Sequence, residues 1–130
     1  MSTKNLLVVD DSATTRMLIS LTLKKSGSYR IVEASDGAEA VEKLGSQAVD
    51  IVLTDINMPE MTGLELISYI RSSHSSPKLP IIVITTKGEE QSRDQGLALG
   101  ANAYLSKPIS SAKLQLTVKK LLDGVGQPAK

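Results

Sequence analysis

The sequence contains no cysteine, phenylalanine or tryptophan, and it has three tyrosines in 130 residues. Without cysteine the chain has no disulfide, no thiolate metal site and no thiol nucleophile, which suits a reducing cytoplasm. With so few aromatic rings it lacks the stacking platforms that bind single-stranded nucleic acids. Its formal charge of +1 also lacks the basic excess of a phosphate-backbone binder. Direct nucleic-acid binding is therefore not expected.

Long hydrophobic runs are also missing. No apolar stretch approaches the length of a membrane span, and the polar opening MSTKN lacks the apolar part of a secretion signal. We therefore predict a cytoplasmic protein without membrane insertion. A length of 130 residues fits one ordinary domain. We predict a single domain over residues 1–130, with a core at about residues 4–122 and with 123–130 as a flexible tail or a truncated linker.

Short aliphatic runs alternate with helical patterns along the chain. The predicted strands are residues 6–9, 29–34, 51–53, 81–84 and 103–106. Strict alternation of strand and helix predicts an α/β fold with a parallel sheet, helices on both faces and right-handed crossovers. We predict the doubly wound, flavodoxin-like strand order 2-1-3-4-5, with the second and fifth strands at the edges.

Three segments have the spacing of a helix-starting capping box. They are Asp36 to Glu39, Thr62 to Glu65 and Thr86 to Glu89. The helix after the third box, at about residues 89–99, has the weakest pattern, because Gly96 interrupts it and its apolar face is limited to residues 97–99. We expect this helix to be soft.

Polar side chains stand at the predicted carboxyl ends of four strands. Asp10 and Asp11 end the first strand, Asp55 the third, Thr85 the fourth and Lys107 the fifth. In such sheets ligands bind at these ends, beside the point where the strand order reverses. Three carboxylates brought together there repel one another unless a cation neutralises them. Oxygen ligands without cysteine or a nearby histidine favour a hard ion such as Mg²⁺.

The same strand ends supply the parts of a phosphoryl-transfer site. Lys107 offers a point charge for a phosphate oxygen, and Thr85 offers a hydroxyl donor. Asp55 is a candidate nucleophile, because carboxylates form aspartyl-phosphate intermediates. Taken singly, these residues also fit ordinary turn and strand chemistry. Their joint occurrence at four strand ends favours one site.

The segments VVDDS, LTDINMPEMTG, IIVITT and AYLSKP, in this order and spacing, resemble the response-regulator receiver domain of two-component signalling. The resemblance implies a phosphoacceptor switch in which Asp55 receives a phosphoryl group from a histidine kinase or phosphotransfer protein. It also implies an Mg²⁺ ion held by Asp10, Asp11, Asp55 and the backbone carbonyl of Asn57.

The resemblance implies further roles around the phosphoryl group. Lys107 would pair with it, Thr85 would hydrogen-bond to it, and Tyr104 would act as an aromatic switch. A cis peptide bond is expected between Lys107 and Pro108. The surface of the fourth helix, fifth strand and fifth helix would then change shape and control a downstream protein partner.

Several alternatives stay open from the sequence. The chain could be the receiver part of a larger regulator with an output domain, and it could act as a monomer or as a phosphorylation-dependent dimer. An aspartyl-phosphate phosphatase is less favoured, because Asn57 stands where such enzymes commonly place a second acid. A nucleotide or flavin module is disfavoured by the acid pair at the first loop. We expect a signalling switch that assists its own phosphorylation and dephosphorylation, rather than a metabolic enzyme. Thr86 and Lys87 predict that the self-dephosphorylation is slow to moderate.

Overall fold

A computed structural model of the chain describes residues 3–58, 61–73, 77–86 and 88–124. Strands and helices alternate through these residues, as predicted. The strands are β1 (Lys4–Val9), β2 (Tyr29–Ala34), β3 (Ile51–Asp55), β4 (Ile81–Thr85) and β5 (Ala103–Ser106). The helices are α1 (Ala13–Ser26), α2 (Gly37–Ser46), α3 (Gly63–Ser72), α4 (Glu90–Leu99) and α5 (Ser111–Leu122).

The five strands form one parallel sheet in the order β2-β1-β3-β4-β5. The predicted order and fold class are therefore confirmed. β1 and β3 are neighbours, and their register pairs Val9 with Thr54. Because the strands are parallel, the residues that end β1, β3, β4 and β5 reach the same edge of the sheet.

Aliphatic side chains pack on both faces of the sheet, as expected when helices cover both. One face carries α2, α3 and α4, and the other carries α1 and α5. The first layer includes Leu7, Val9, Val52, Val83, Ala40, Leu66 and Ile67. The second layer includes Leu6, Val8, Leu53, Ile82, Ile19, Leu23, Leu114 and Val118. Every residue of β3 and β4 is buried, so the residues that end these strands adjoin the packed centre of the sheet.

Two of the three predicted helix starts occur as expected. Asp36 caps α2 by accepting from the amide of Glu39, and Thr62 forms a full capping box with Glu65 on α3. The prediction at Thr86 was wrong. There the residue that precedes α4 is Glu89, without a side-chain cap.

The reason for this error is a turn before α4. The amide of Glu89 donates to the carbonyl of Thr86 at 3.1 Å, and the amide of Thr86 donates to Oε1 of Glu89 at 2.7 Å. The sequence spacing of a capping box is therefore used to close a turn. α4 begins only at Glu90.

The apolar face predicted for α4 was also wrong. Leu97 and Leu99 are exposed, and Gly96 is the buried residue of the helix. A Cβ at Gly96 would lie 3.3 Å from Cγ2 of Val83. Gly96 therefore allows a close approach of α4 to the sheet, instead of interrupting the helix. The softness of α4 stays a prediction.

α5 ends before Gly124, which has the positive φ of 88° that favours glycine. Of the tail predicted at 123–130, residues 125–130 lie outside the described residues, and so does Lys87. In the part of the chain that the structure describes, no helix has the length and apolarity needed to cross a membrane.

Candidate functional site

Three carboxylates meet at the carboxyl edge of the sheet. Asp10 and Asp11 follow β1, and Asp55 is the last residue of β3. One carboxylate oxygen from each lies within 4.8 Å of the others. Asp10 and Asp55 are buried, whereas Asp11 is exposed. The acid trio is thus embedded in the sheet edge and opens to solvent on the side of Asp11.

Both carboxylate oxygens, the amide and the carbonyl of Asp10 form hydrogen bonds. Its Oδ1 accepts from the amide of Ser12 at 2.8 Å, and its Oδ2 accepts from Nζ of Lys107 at 3.2 Å. Its amide donates to the carbonyl of Ala34 at 3.1 Å. Its own carbonyl accepts from Nη1 of Arg16 at 2.6 Å. Each oxygen of this buried carboxylate therefore has a donor, as buried polar groups require, and two backbone bonds hold the residue in place.

Asp55 has one oxygen bound by the backbone and one near a cation. Oδ1 accepts from the amide of Ile56 at 2.8 Å, and Oδ2 lies 3.6 Å from Nζ of Lys107. Burial raises the pKa of Asp55, and the nearby charge of Asp10 raises it further, although Lys107 offsets part of this effect. The protein thus holds this carboxylate in a strained electrostatic setting that an added cation would relieve.

The start of α3 packs under the backbone of Asp55. The amide of Gly63 donates to the carbonyl of Ile56 at 2.8 Å. A Cβ at Gly63 would collide with the carbonyl oxygen of Asp55 and lie 2.8 Å from Cα of Ile56. Glycine at this position allows the start of α3 to lie directly against the backbone of Asp55 and Ile56, and this packing supports the acid.

Lys107 follows β5 and contacts both buried acids. Its amide donates to the carbonyl of Thr85 at 2.7 Å, which aligns the two strand ends. Partial burial on its own lowers the pKa of Lys107, but Asp55 and Asp10 outweigh this effect, and the net pKa is raised. Lys107 therefore remains a cation. The peptide bond between Lys107 and Pro108 is cis.

Thr85 and Tyr104 occupy different environments. Thr85 is buried and lines a cavity of about 230 Å³ together with Thr86 and Lys107. Tyr104 is exposed on β5. Asn57, whose carbonyl the resemblance assigns to the metal, lies two residues after Asp55 and is exposed. Of the other predicted residues, Lys107 contacts two acids of the trio, and Thr85 shares a cavity with Lys107.

Arg16 is a contributor that the sequence interpretation did not identify. Besides its bond to the Asp10 carbonyl, its Nε donates to Oε1 of Glu33 at 2.9 Å. Arg16 is the first cation of α1, one turn after the helix start. That position is compatible with a contact to the end of β1, but no sequence pattern distinguished it from a solvated helix residue.

The donor set fits a hard divalent cation. The acid trio offers three carboxylates, and Lys107 supplies one ammonium to two of them. This single ammonium does not cancel the effects that raise the pKa of Asp55, which are burial first and then the charge of Asp10. Oxygen ligands from one or two carboxylates, completed by water, are what Mg²⁺ prefers. Asp10, Asp11 and Asp55 are the residues that would hold it.

The family model described as "Response regulator receiver domain" matches residues 6–119. The chain belongs to this family. The matched region contains the three acids of the trio, together with Thr85, Tyr104 and Lys107. The family predicted from the four sequence motifs is thereby confirmed.

Relatives of this receiver domain include chemotaxis proteins. Chemotaxis protein CheY1 of Helicobacter pylori strain 26695 is 42% identical over 118 residues, which are 90% of this chain and 95% of that protein. The CheY homolog of Campylobacter jejuni strain 81-176 is 40% identical over 122 residues, covering 93% of this chain and 92% of that protein.

Solved structures agree with this assignment. A response regulator structure from Chloroflexus aurantiacus has a TM-score of 0.90 at 30% identity, covering 94% of this chain and 99% of that one. The chemotaxis response regulator CheY4 of Vibrio cholerae has a TM-score of 0.84 at 32% identity, covering 92% and 99%. This chain is therefore a receiver domain of the CheY type, a class of signalling switches that bind Mg²⁺ at an acidic pocket.

Proposed function

We propose that this receiver domain accepts a phosphoryl group on Asp55 from a histidine kinase or phosphotransfer protein and passes the signal to a downstream protein in the cytoplasm. The observation that carries the proposal is the position of Asp55. Its carboxylate is a buried member of the acid trio, with Oδ2 3.6 Å from Nζ of Lys107. A nucleophile and the cation needed by its product are thus already adjacent.

In the proposed reaction, a carboxylate oxygen of Asp55 attacks the phosphorus of phosphohistidine. A P–O bond forms as the P–N bond breaks, and the donor nitrogen takes the electron pair of that bond. When bound, Mg²⁺ would supply charge neutralisation for the phosphoryl oxygens. Lys107 would shift from the carboxylates towards the new anion, because charge-assisted hydrogen bonds to phosphate are strong.

The proposed signal is a change in charge at the edge of the sheet. Phosphorylation adds about 1.5 to 2 negative charges and three acceptor oxygens. The hydroxyl of Thr85 would move towards them, and Tyr104 would turn towards the space that Thr85 leaves. A partner that prefers the altered surface of α4, β5 and α5 would then bind the phosphorylated form.

The lifetime of the phosphorylated form would depend on the mouth of the site. Thr86 is exposed there and lines the same cavity as Thr85 and Lys107. Its side chain would restrict the approach of a hydrolytic water. We propose slow to moderate self-dephosphorylation, and decay within seconds at neutral pH with Mg²⁺ would contradict it.

Intact-mass spectrometry after incubation with a small phosphodonor and Mg²⁺ tests the proposed phosphorylation. The native chain should gain one phosphoryl group, and Asp55→Asn should gain none. Asp123→Asn, which removes an exposed acid at the end of α5, is the matched control and should behave like the native chain. Chelation of Mg²⁺ should suppress the adduct. An equal yield in Asp55→Asn would rule out Asp55 as the acceptor.

A further inference from the structure

Arg93 of α4 lies against the ring of Tyr104 on β5. Its guanidinium carbon is 4.8 Å from the ring centroid, a distance typical of a cation–π contact. Tyr104 is 42% exposed, so the contact forms at the protein surface. We propose that Arg93 is a positioning residue that holds Tyr104 in this exposed orientation. The proposal rests on the switch role proposed above for Tyr104.

Arg93 also borders the space beside Thr85. It lines the cavity of about 230 Å³ that Thr85 and Lys107 line from the other elements. A Tyr104 ring that turns towards Thr85 would approach this cavity and would have to leave or displace the guanidinium. Arg93 therefore stabilises the exposed orientation of the Tyr104 ring. It also lines the cavity beside Thr85, towards which the ring is proposed to turn.

The guanidinium of Arg93 also contacts Asp94, the next residue of α4. Nε donates to Oδ1 of Asp94 at 3.2 Å, and Nη2 lies 3.1 Å from the same oxygen. These contacts engage the edge of the guanidinium and leave its face for the Tyr104 ring. Cation–π contacts are made through such a face.

The end of α4 is held by contacts with other elements. At the end, Nε and Nη2 of Arg71 donate to the carbonyl of Gly100 at 3.0 and 2.6 Å, and Gly96 packs on Val83. Within the described residues, no side chain caps the start of α4. Arg93 lies in that first half. Its contact with Tyr104 therefore couples the start of α4 to the orientation of the ring.

Arg93→Gln tests this coupling, because it removes the charge and keeps a polar side chain of intermediate length. An exposed cation–π contact implies a twofold to fivefold effect, approximately, on the ratio of exposed to inward Tyr104 orientations. The ratio can be measured without phosphorylation from the three-bond couplings between the Tyr104 ring carbon and its backbone nitrogen and carbonyl, using labelled tyrosine assigned with Tyr104→Phe. Arg93→Gln should lower the ratio, whereas Arg93→Lys should restore part of it.

Arg30→Gln is the matched control, because it removes one exposed arginine charge from β2, at the opposite edge of the sheet. An unchanged ratio in Arg93→Gln, or equal changes in the Arg30 and Arg93 variants, would overturn the proposal. The couplings report the orientation directly, so this result is independent of whether Asp55 is phosphorylated. Failure of the proposed function would instead appear as a missing adduct in the intact-mass experiment, and melting temperatures would show that each variant is folded.

Discussion

Lys107 donates through Nζ to Oδ2 of Asp10 at 3.2 Å, across 97 residues of sequence. This contact joins the end of β1 to the end of β5, which are separated in the sheet by β3 and β4. Nζ of Lys107 also lies 3.6 Å from Oδ2 of Asp55, at the end of β3. The side chain therefore extends from the end of β5 to the ends of β1 and β3, where the strand order reverses. One cation thus links the buried acids before any phosphoryl group arrives.

Lys107→Met should slow phosphorylation of Asp55 by a small phosphodonor. Loss of a hydrogen bond to a charged group costs about 1.5 to 3 kcal/mol, which corresponds to roughly tenfold to hundredfold in rate. The initial rate of adduct formation, followed by intact mass, measures this effect. Lys113→Met, which removes an exposed lysine of α5, should leave the rate within about twofold of the native value. A Lys107→Met rate as high as that control would exclude the proposed role of Lys107.

Asp55→Asn should stabilise the fold at neutral pH when Mg²⁺ is absent. Because burial and Asp10 raise the pKa of Asp55, the folded protein binds a proton there more readily than the unfolded chain does. The contribution of Asp55 to the free energy of unfolding therefore falls as pH rises from the ordinary aspartate pKa through the raised one. Above that window the ionised group is unfavourable, and replacing it removes the penalty.

Urea unfolding of both proteins across acid and neutral pH, with chelator present, measures this difference. The free-energy advantage of Asp55→Asn should be largest at neutral pH and should disappear below the ordinary aspartate pKa. Asp123→Asn provides a comparison with an exposed carboxylate. An Asp55→Asn protein that is less stable than the native chain at neutral pH would show that the contact with Lys107 outweighs burial.

The sequence was sufficient to predict most of the fold and the composition of the acid trio. Strand ends are informative because a parallel sheet brings its carboxyl ends to one edge, so that Asp10, Asp11 and Asp55 had to be close once the strand order was right. The capping pattern at Thr86 was misleading, because the same spacing can close a turn. Local sequence patterns therefore predicted whether a segment is a helix or a strand more reliably than they predicted the residue at which it begins.

The long-range contacts of three arginines could not be predicted from the sequence. No sequence pattern distinguishes Arg16, Arg71 and Arg93 from other charged helix residues, yet they contact Asp10, Gly100 and Tyr104. A long flexible side chain can reach several elements, and the sequence does not specify which one. Gly96 was misjudged for a related reason, since the benefit of a missing side chain depends on the neighbour that takes its space.

Arg16→Gln should destabilise the fold more than removal of its acidic partner does. The guanidinium satisfies the carbonyl of Asp10 at 2.6 Å, and a buried acceptor left unpaired costs about 1 to 3 kcal/mol. Glu33→Gln removes the negative charge from the ion pair with Arg16, in which the Glu33 side chain is 45% exposed, and such surface pairs are worth about 0 to 1 kcal/mol. Urea denaturation compares the two variants. Equal losses would show that the Asp10 carbonyl does not depend on Arg16.

Gly63→Ala should destabilise the protein and disturb Asp55 together, because the added methyl group collides with the Asp55 carbonyl and approaches Ile56 Cα to 2.8 Å. Both neighbours are backbone atoms that cannot move aside by a rotamer change, so we expect a loss of at least about 2 kcal/mol. Gly45→Ala is the matched control, since a Cβ there meets nothing within 4 Å.

Gly45 lies inside α2, where alanine should raise stability by about 0.5 to 1 kcal/mol. The two glycine variants should therefore change the free energy of unfolding in opposite directions, although the chemical change is the same. Phosphorylation of Asp55 should fall in Gly63→Ala under conditions where that variant is still folded, and should be unchanged in Gly45→Ala. Native stability in Gly63→Ala would mean that the start of α3 can retreat from Asp55 without cost, and the close support of the acid by α3 would then be wrong.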